Sequence, residues 1–375
     1  MSLSHRTRLS GAAATFAAIA TCVFAGGAAG APPPVCQSSG LQPLIVGSDS
    51  NRLSAVSVVS ARDVVAVGDY QTTPYQIHTL IERWNGSAWS VQPSPNIGDS
   101  ALGGVAATSA RNAWAVGGSS AGALIEHWNG RTWSVQPSPR LRGGVLAGVA
   151  ATSARNAWAV GYVGSVGSRR AVIERWDGRT WKVQRSPRAE LLASVAATSP
   201  RNAWAVGFDG SRAVIEHWNG RGWTAQLHVR LPEPESYPLA LSGVAIGSPT
   251  SVWAVGTTIS SPGSHSSSSL IEHWNGRVWT KQHFSAVRWG LFAMSATSPS
   301  DAWAIGNDGD GSTTVNVVAH WGGRRWTVQP SGAAWYGSQD FTGVSAKRAV
   351  GTWVVGAYYN IAAGQLQPLA LRCPA

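Results

Sequence analysis

Five glutamates, Glu82, Glu126, Glu174, Glu216 and Glu272, stand at one place in a recurring motif, and His127, His217, His273 and His320 recur one position further on. Paired carboxylates perform acid–base chemistry, and clustered imidazoles hold metals. One acid per repeat cannot converge on one site, so the glutamates read as structural. Each is expected to pair with a turn arginine such as Arg111, Arg155 or Arg201, or to cap backbone groups. The histidines interchange with Arg83 and Arg175, which a metal position does not tolerate. The acids left to inspect are Asp69, Asp99, Glu190, Asp209 and Asp340, in segments that differ between repeats. Arg52, Glu190 and Asp340 read as lone solvated charges. Asn307-Asp308-Gly309-Asp310-Gly311 alternates oxygen ligands like a short calcium loop but lacks the distal bidentate Glu, and reads as a flexible polar loop. No catalytic residue, metal site or cofactor is expected.

The elements that carry these residues follow from self-similarity. Asn112-Ala-Trp114-Ala-Val-Gly117 recurs at Asn156–Gly161 and Asn202–Gly207, and in shorter form at Trp253–Gly256, Trp303–Gly306 and Trp353–Gly356. Asp63-Val-Val65-Ala-Val-Gly68 is a degenerate first copy. A second motif, Ile81-Glu-Arg-Trp84-Asn-Gly86 followed by Trp89, lies between them and recurs through Val318–Trp326. Each unit offers four short strands, a to d: Leu146–Thr152, Ala157–Gly161, Ala171–Trp176 and Trp181–Gln184 in one copy. Asp177-Gly178 is a hairpin signal between c and d. Four strands in a repeat of this length describe a β-propeller blade. The last unit stops after strand c at Gln367–Cys373, and Leu41–Val46 is taken as the missing strand d. The expectation is an all-β, seven-bladed β-propeller of four-stranded antiparallel blades, closed by a mixed N-/C-terminal blade that leaves no free edge.

The chain has 375 residues, 44% hydrophobic and 13% charged, with 43 Gly and 20 Trp. Residues 1–31 read as an export signal: Arg6 and Arg8, an apolar stretch from Gly11 to Phe24, then small residues. Residues 32–375 then form one propeller domain, secreted, with no membrane span in the mature chain. Removal of 1–31 also removes Cys22 and leaves Cys36 and Cys373 for an oxidising compartment. The net charge of +11 suits acidic partners. No Lys/Arg run marks a nucleic-acid arm.

The Asn-Ala-Trp-Ala-Val-Gly and Ile-Glu-His-Trp-Asn-Gly repeats resemble secreted bacterial β-propeller proteins labelled kelch-like or galactose-oxidase-like. Trp176-Asp177-Gly-Arg-Thr-Trp181 is similar to the Asp-box of sialidase-type propellers, with Asp177 and Gly178 adjacent rather than spaced by one. The resemblance implies the fold. The copper ligands of galactose oxidase and the arginine triad of sialidases find no counterpart, so no activity follows from it.

In a propeller the a–b and c–d turns share one face, and the b–c and d–a loops share the other. Here the first set barely varies, and the second varies in length and content, which marks it as the binding face. Its aromatics Tyr70, Trp289, Trp335, Tyr336, Tyr358 and Tyr359 are the expected ligand-binding residues. The expected function is a non-catalytic, monomeric interaction module for an extracellular glycan, a cell-wall polymer or a protein. A glycan-active hydrolase or lyase built from the same loops is the alternative. Aligning Leu53 with Leu102 places Cys36 at the position of Asn85, and aligning Leu369–Cys373 with Leu80–Trp84 places Cys373 at Trp84. The two cysteines flank the one cut c–d turn, so a Cys36–Cys373 disulfide is expected.

Overall fold

The computed structural model describes residues 35–38, 42–73, 76–139, 143–210, 212–226, 237–259, 267–284, 287, 289–309, 314–330 and 339–374. The expected export signal 1–31, and Trp335 and Tyr336, lie outside them. The described residues form strands and turns, with no helix long and apolar enough to cross a membrane. Five sheets have four strands each, and one has seven. The seven-stranded sheet joins a four-strand meander (50–91) to a three-strand meander (339–373) through one parallel pairing, Ser50 with Leu366. We number the meanders I to VII in chain order and keep the letters a to d for their strands.

Strand a of each meander contacts strand a of the next, and strand a of VII (Gln339–Lys347) returns to strand a of I (Ser50–Ser60). The meanders therefore stand in a ring around a central channel. The residue opening the core face of strand a is buried in every unit: Leu53, Leu102, Leu146, Leu192, Leu241, Leu291 and Phe341. A register shift follows that residue in six of the units, for example Leu53/Ala55 and Leu102/Gly104. In III the shift falls at the matching place, between Val160 and Gly161. The motif glycine sits opposite this bulge. A Cβ at Gly68 or Gly117 would collide with the carbonyl of Arg52 or Ala101, which is why the motif ends in glycine.

Tryptophans fill the gaps between meanders. The strand-b Trp of one unit inserts between the c and d Trps of the next: Trp114 lies 5.0 Å from both Trp176 and Trp181. Trp158 meets Trp218 and Trp223, and Trp353 closes the ring onto Trp84 and Trp89. Eighteen of the twenty tryptophans belong to this set, and Trp289 is not among them. Large rings buried in pairs at edge-to-face and tilted angles supply both apolar area and orientation.

The cut blade closes as expected in kind and differently in register. Cys36 and Cys373 are bonded, with Cα atoms 4.0 Å apart across 337 residues of sequence. Gln37 and Arg372 exchange both backbone hydrogen bonds, at 2.9 and 2.8 Å. The fourth strand's place is thus taken by Cys36–Gln37, not by Leu41–Val46. Cys36 corresponds to Trp89 rather than to Asn85, because the segment from Cys36 to Leu53 is four residues longer than that from Trp89 to Leu102.

Candidate functional site

Three of the repeated glutamates, Glu126, Glu174 and Glu216, are latches between neighbouring units. Ser94 Oγ donates to both carboxylate oxygens of Glu126, at 3.1 and 3.0 Å; Ser138 donates to Glu174 and Ser186 to Glu216, both at 2.8 Å. Each serine lies just after strand d of the preceding unit. Glu82 accepts the Leu44 N–H instead, at 2.9 Å. The turn arginines are not the partners, which corrects that half of the expectation; the backbone capping is seen at Glu82 and Glu216. Burial pushes Glu82, Glu126, Glu174 and Glu272 up to about 7, and raises Glu216 as well.

The histidine–arginine position is equally structural. His127 Nε2 bonds Asn112 Oδ1 at 2.8 Å, and its ring stacks 4.1 Å from Trp114. His217 repeats this with Asn202 and Trp204, and His320 with Asp301 and Trp303. Where arginine replaces histidine, Arg83 clamps Asp63 at 2.7 and 2.9 Å, and Arg175 lies over Trp158 and Trp218. Among the described residues no three His, Cys, Asp or Glu side chains come together as a metal site. Asn307 and Asp308 lie within a strand, paired with Asn316 and Val315, so the start of the calcium-like segment is extended hairpin rather than loop.

Along the ring axis the concave surfaces are the channel and its mouth; a further hollow of about 440 Å³ lies between units III and IV, beside Arg185, Trp218 and Arg221. The channel holds about 310 Å³ and is lined by small strand-a residues such as Ser54, Gly104, Gly148 and Ser194. A second pocket of about 530 Å³ opens at the b–c and d–a end and shares Ser54, Gly103 and Ala147 with the channel. It spans units I to III. Ile77, Leu102 and Val145 are among its walls, and Arg52, Asp69 and Asp99 stand with them. It is open at unit II because Gly118 stands where units I, III and IV carry Asp69, Tyr162 and Phe208.

Arg52 is not a lone charge. Its Nη2 lies 3.1 Å from Asp69 Oδ1 and 3.2 Å from Oδ2. The Arg52 side chain is half exposed and that of Asp69 is buried. Burial raises the Asp69 carboxyl above the ordinary range, outweighing the arginine charge. Asp209 pairs with Arg188 at 3.1 Å in unit IV, so these two acids are held apart in different units. Asp99 and Asp340 are exposed, and Glu190 is half-buried.

Of the expected aromatic residues, the four that are described, Tyr70, Trp289, Tyr358 and Tyr359, lie at this end but do not line the pocket. Tyr70 is half-buried, 5.1 Å from His78. The Tyr358 hydroxyl donates to Gln367 Oε1 at 2.5 Å. Tyr359 is 40% exposed, and Trp289 is half-buried just before strand a of unit VI. The pocket itself was signalled in the sequence by Gly118, at the position that holds Asp69, Tyr162 and Phe208 in units I, III and IV, a feature of a missing rather than a present side chain.

Four-stranded meanders ringed about a channel define a β-propeller. No protein-family model and no curated protein sequence matches the chain. Among solved structures it is similar to YCF48 bound to D1 peptide, with TM-score 0.57 and 14% identity, covering 92% of this chain and 100% of that one. It is similar to the WD40 β-propeller domain of Doa1, with TM-score 0.58 and 11% identity, covering 91% and 97%. An ancestral GH74 enzyme matches with TM-score 0.53 and 13% identity, covering 87% of this chain and 47% of that one. At these identities the likeness is one of fold.

Proposed function

We propose that the chain is an exported, seven-bladed, non-catalytic interaction module that holds a protein segment at the b–c/d–a face. The observation that carries this reading is the open mouth pocket on the one face where the repeats diverge. Its walls include aliphatic side chains and backbone, and Arg52, Asp69 and Asp99 stand beside them, a combination that suits an apolar side chain flanked by polar peptide groups. No aromatic ring lines the pocket to stack on a sugar face, which favours protein over glycan. The structure of YCF48 bound to D1 peptide offers a propeller precedent for such a ligand. The test is selection of binders from a displayed peptide library beside a glycan array, using the mature protein. Peptide enrichment that survives alteration of the Asn129-Gly130 turn supports the reading. Enrichment of glycans alone, or binding lost only through that turn, overturns it.

A further inference from the structure

The face opposite the mouth pocket carries an ordered array of arginines that the linear sequence disperses. The a–b turns hold Arg62, Arg111, Arg155, Arg201 and Arg348. The c–d turns hold Arg131, Arg179, Arg221, Arg277 and Arg324. All ten are exposed.

Their backbones are fixed locally. A turn serine accepts the N–H of Arg111, Arg155 and Arg201 at 3.2, 3.2 and 3.1 Å. The Asn or Asp before each turn glycine accepts the N–H of Arg131, Arg179, Arg221 and Arg277, each at 2.9 Å. The stems are placed too. A Cβ on Gly130, Gly178 or Gly220 would meet the Cβ and Cγ of Arg111, Arg155 or Arg201 at 3.1 to 3.3 Å, so the inner arginine lies across the outer turn of its own unit. The guanidinium heads have no ion-pair partner among the described residues. The acids of this face are taken already: Asp63 by Arg83, Asp177 by Lys182 and Asp301 by His320.

We infer that this arginine-studded face is a docking surface for a flexible, linear phosphodiester polymer without bases, such as a polyol phosphate chain of a cell envelope. Arginine's planar fork fits phosphate oxygens in pairs, and the array is made of arginine rather than lysine. Cations repeated around a ring match a chain carrying one charge per link. Single-stranded nucleic acid needs rings on which bases stack. Here Trp128 and Trp218 are buried beside the turns, with their indole N–H groups bonded to the Ala110 and Pro200 carbonyls at 3.0 and 3.1 Å. The inference is independent of the ligand proposed for the opposite face.

The test is fluorescence anisotropy of a labelled poly(glycerol phosphate) oligomer against the mature chain over a series of salt concentrations. Wild-type affinity falls steeply with salt. The triple variants R111Q/R155Q/R201Q and R131Q/R179Q/R221Q each weaken binding ~10-fold or more and flatten the salt slope by about two. The R111K/R155K/R201K variant keeps the slope and loses affinity, which separates lost phosphate contacts from lost folding. The R169Q/R170Q pair, on the other face, binds like wild type. Absence of binding at low salt, or equal loss in R169Q/R170Q, overturns the proposal. Tighter binding to anionic phospholipid vesicles or oligothymidylate than to the oligomer also overturns it, by assigning the face to another partner.

Discussion

Cys36 and Cys373 face each other at the register position that Trp89 and Trp84 occupy in unit I, and Trp303 packs on the disulfide as other strand-b tryptophans pack on Trp pairs. The bond thus replaces both a turn and an aromatic pair at the ring's only cut. Closing a loop of 337 residues contributes on the order of 5 kcal/mol in the chain-entropy picture. We expect C36S/C373S to melt well below wild type, and reductant to bring wild type down to the same midpoint. Coincident melts with and without reductant would show that strand pairing alone closes the ring.

The glutamate latches predict an unusual pH dependence. Glu126 and Glu174 sit at about 7 when folded against an ordinary 4.5, so the folded state binds more protons than the unfolded state between those values. Stability from this source is full below about 4.5, falls as pH rises toward 7, and is level above. His127, His217 and His273 are lowered by burial and act oppositely, removing stability as pH falls below 6.5. Glu126→Gln keeps an acceptor for Ser94 and cannot ionise. Its melting temperature relative to wild type should climb from pH 4.5 to 7 and then hold. A difference that stays constant across that range would refute the latch titration.

The motif glycine predicts a sharp local contrast. Gly207→Ala places a Cβ on the Leu191 carbonyl, rigid backbone that cannot move without opening the a–b pairing. A loss of ~3 kcal/mol or more is expected in denaturant titration. Gly222→Ala meets nothing within 4 Å and should change stability by no more than about 0.5 kcal/mol. Similar losses at both positions would contradict the bulge account.

Much of the fold was legible because each repeat writes one local rule seven times. Trp114, Asn129-Gly130 and Trp133 state a strand, a turn and a strand, and the eighteen interface tryptophans make the units mutually dependent. The register of the closing strand was not legible, because counting back from Leu53 assumes a connection of standard length and this one is four residues longer. The partners of the glutamates were missed because the serines belong to the preceding unit, an interaction that exists only once blades pack. The arginines looked scattered for the same reason: one per turn is sparse along the chain and dense on a face. The Arg52–Asp69 pair lay 17 residues apart in sequence, across a hairpin whose register places them opposite.

The mouth pocket and the loop aromatics make separable claims about where a ligand sits. Val145 is half-buried on the pocket wall, in the outermost part of strand a of unit III. Val145→Trp adds a large ring to a space of about 530 Å³, next to Gly118, and should fill much of it without disturbing the buried Leu146 beside it. For a peptide obtained by selection, we expect V145W to weaken binding ~10-fold or more, as loss of a central pocket does at an interface, with melting unchanged. Trp289→Ala and Tyr359→Ala, outside the pocket, should cost only a few-fold as rim contacts. The measurement is titration calorimetry of the three variants beside their melting curves. Full affinity in V145W with binding abolished in W289A or Y359A would move the site from the channel mouth to the loops.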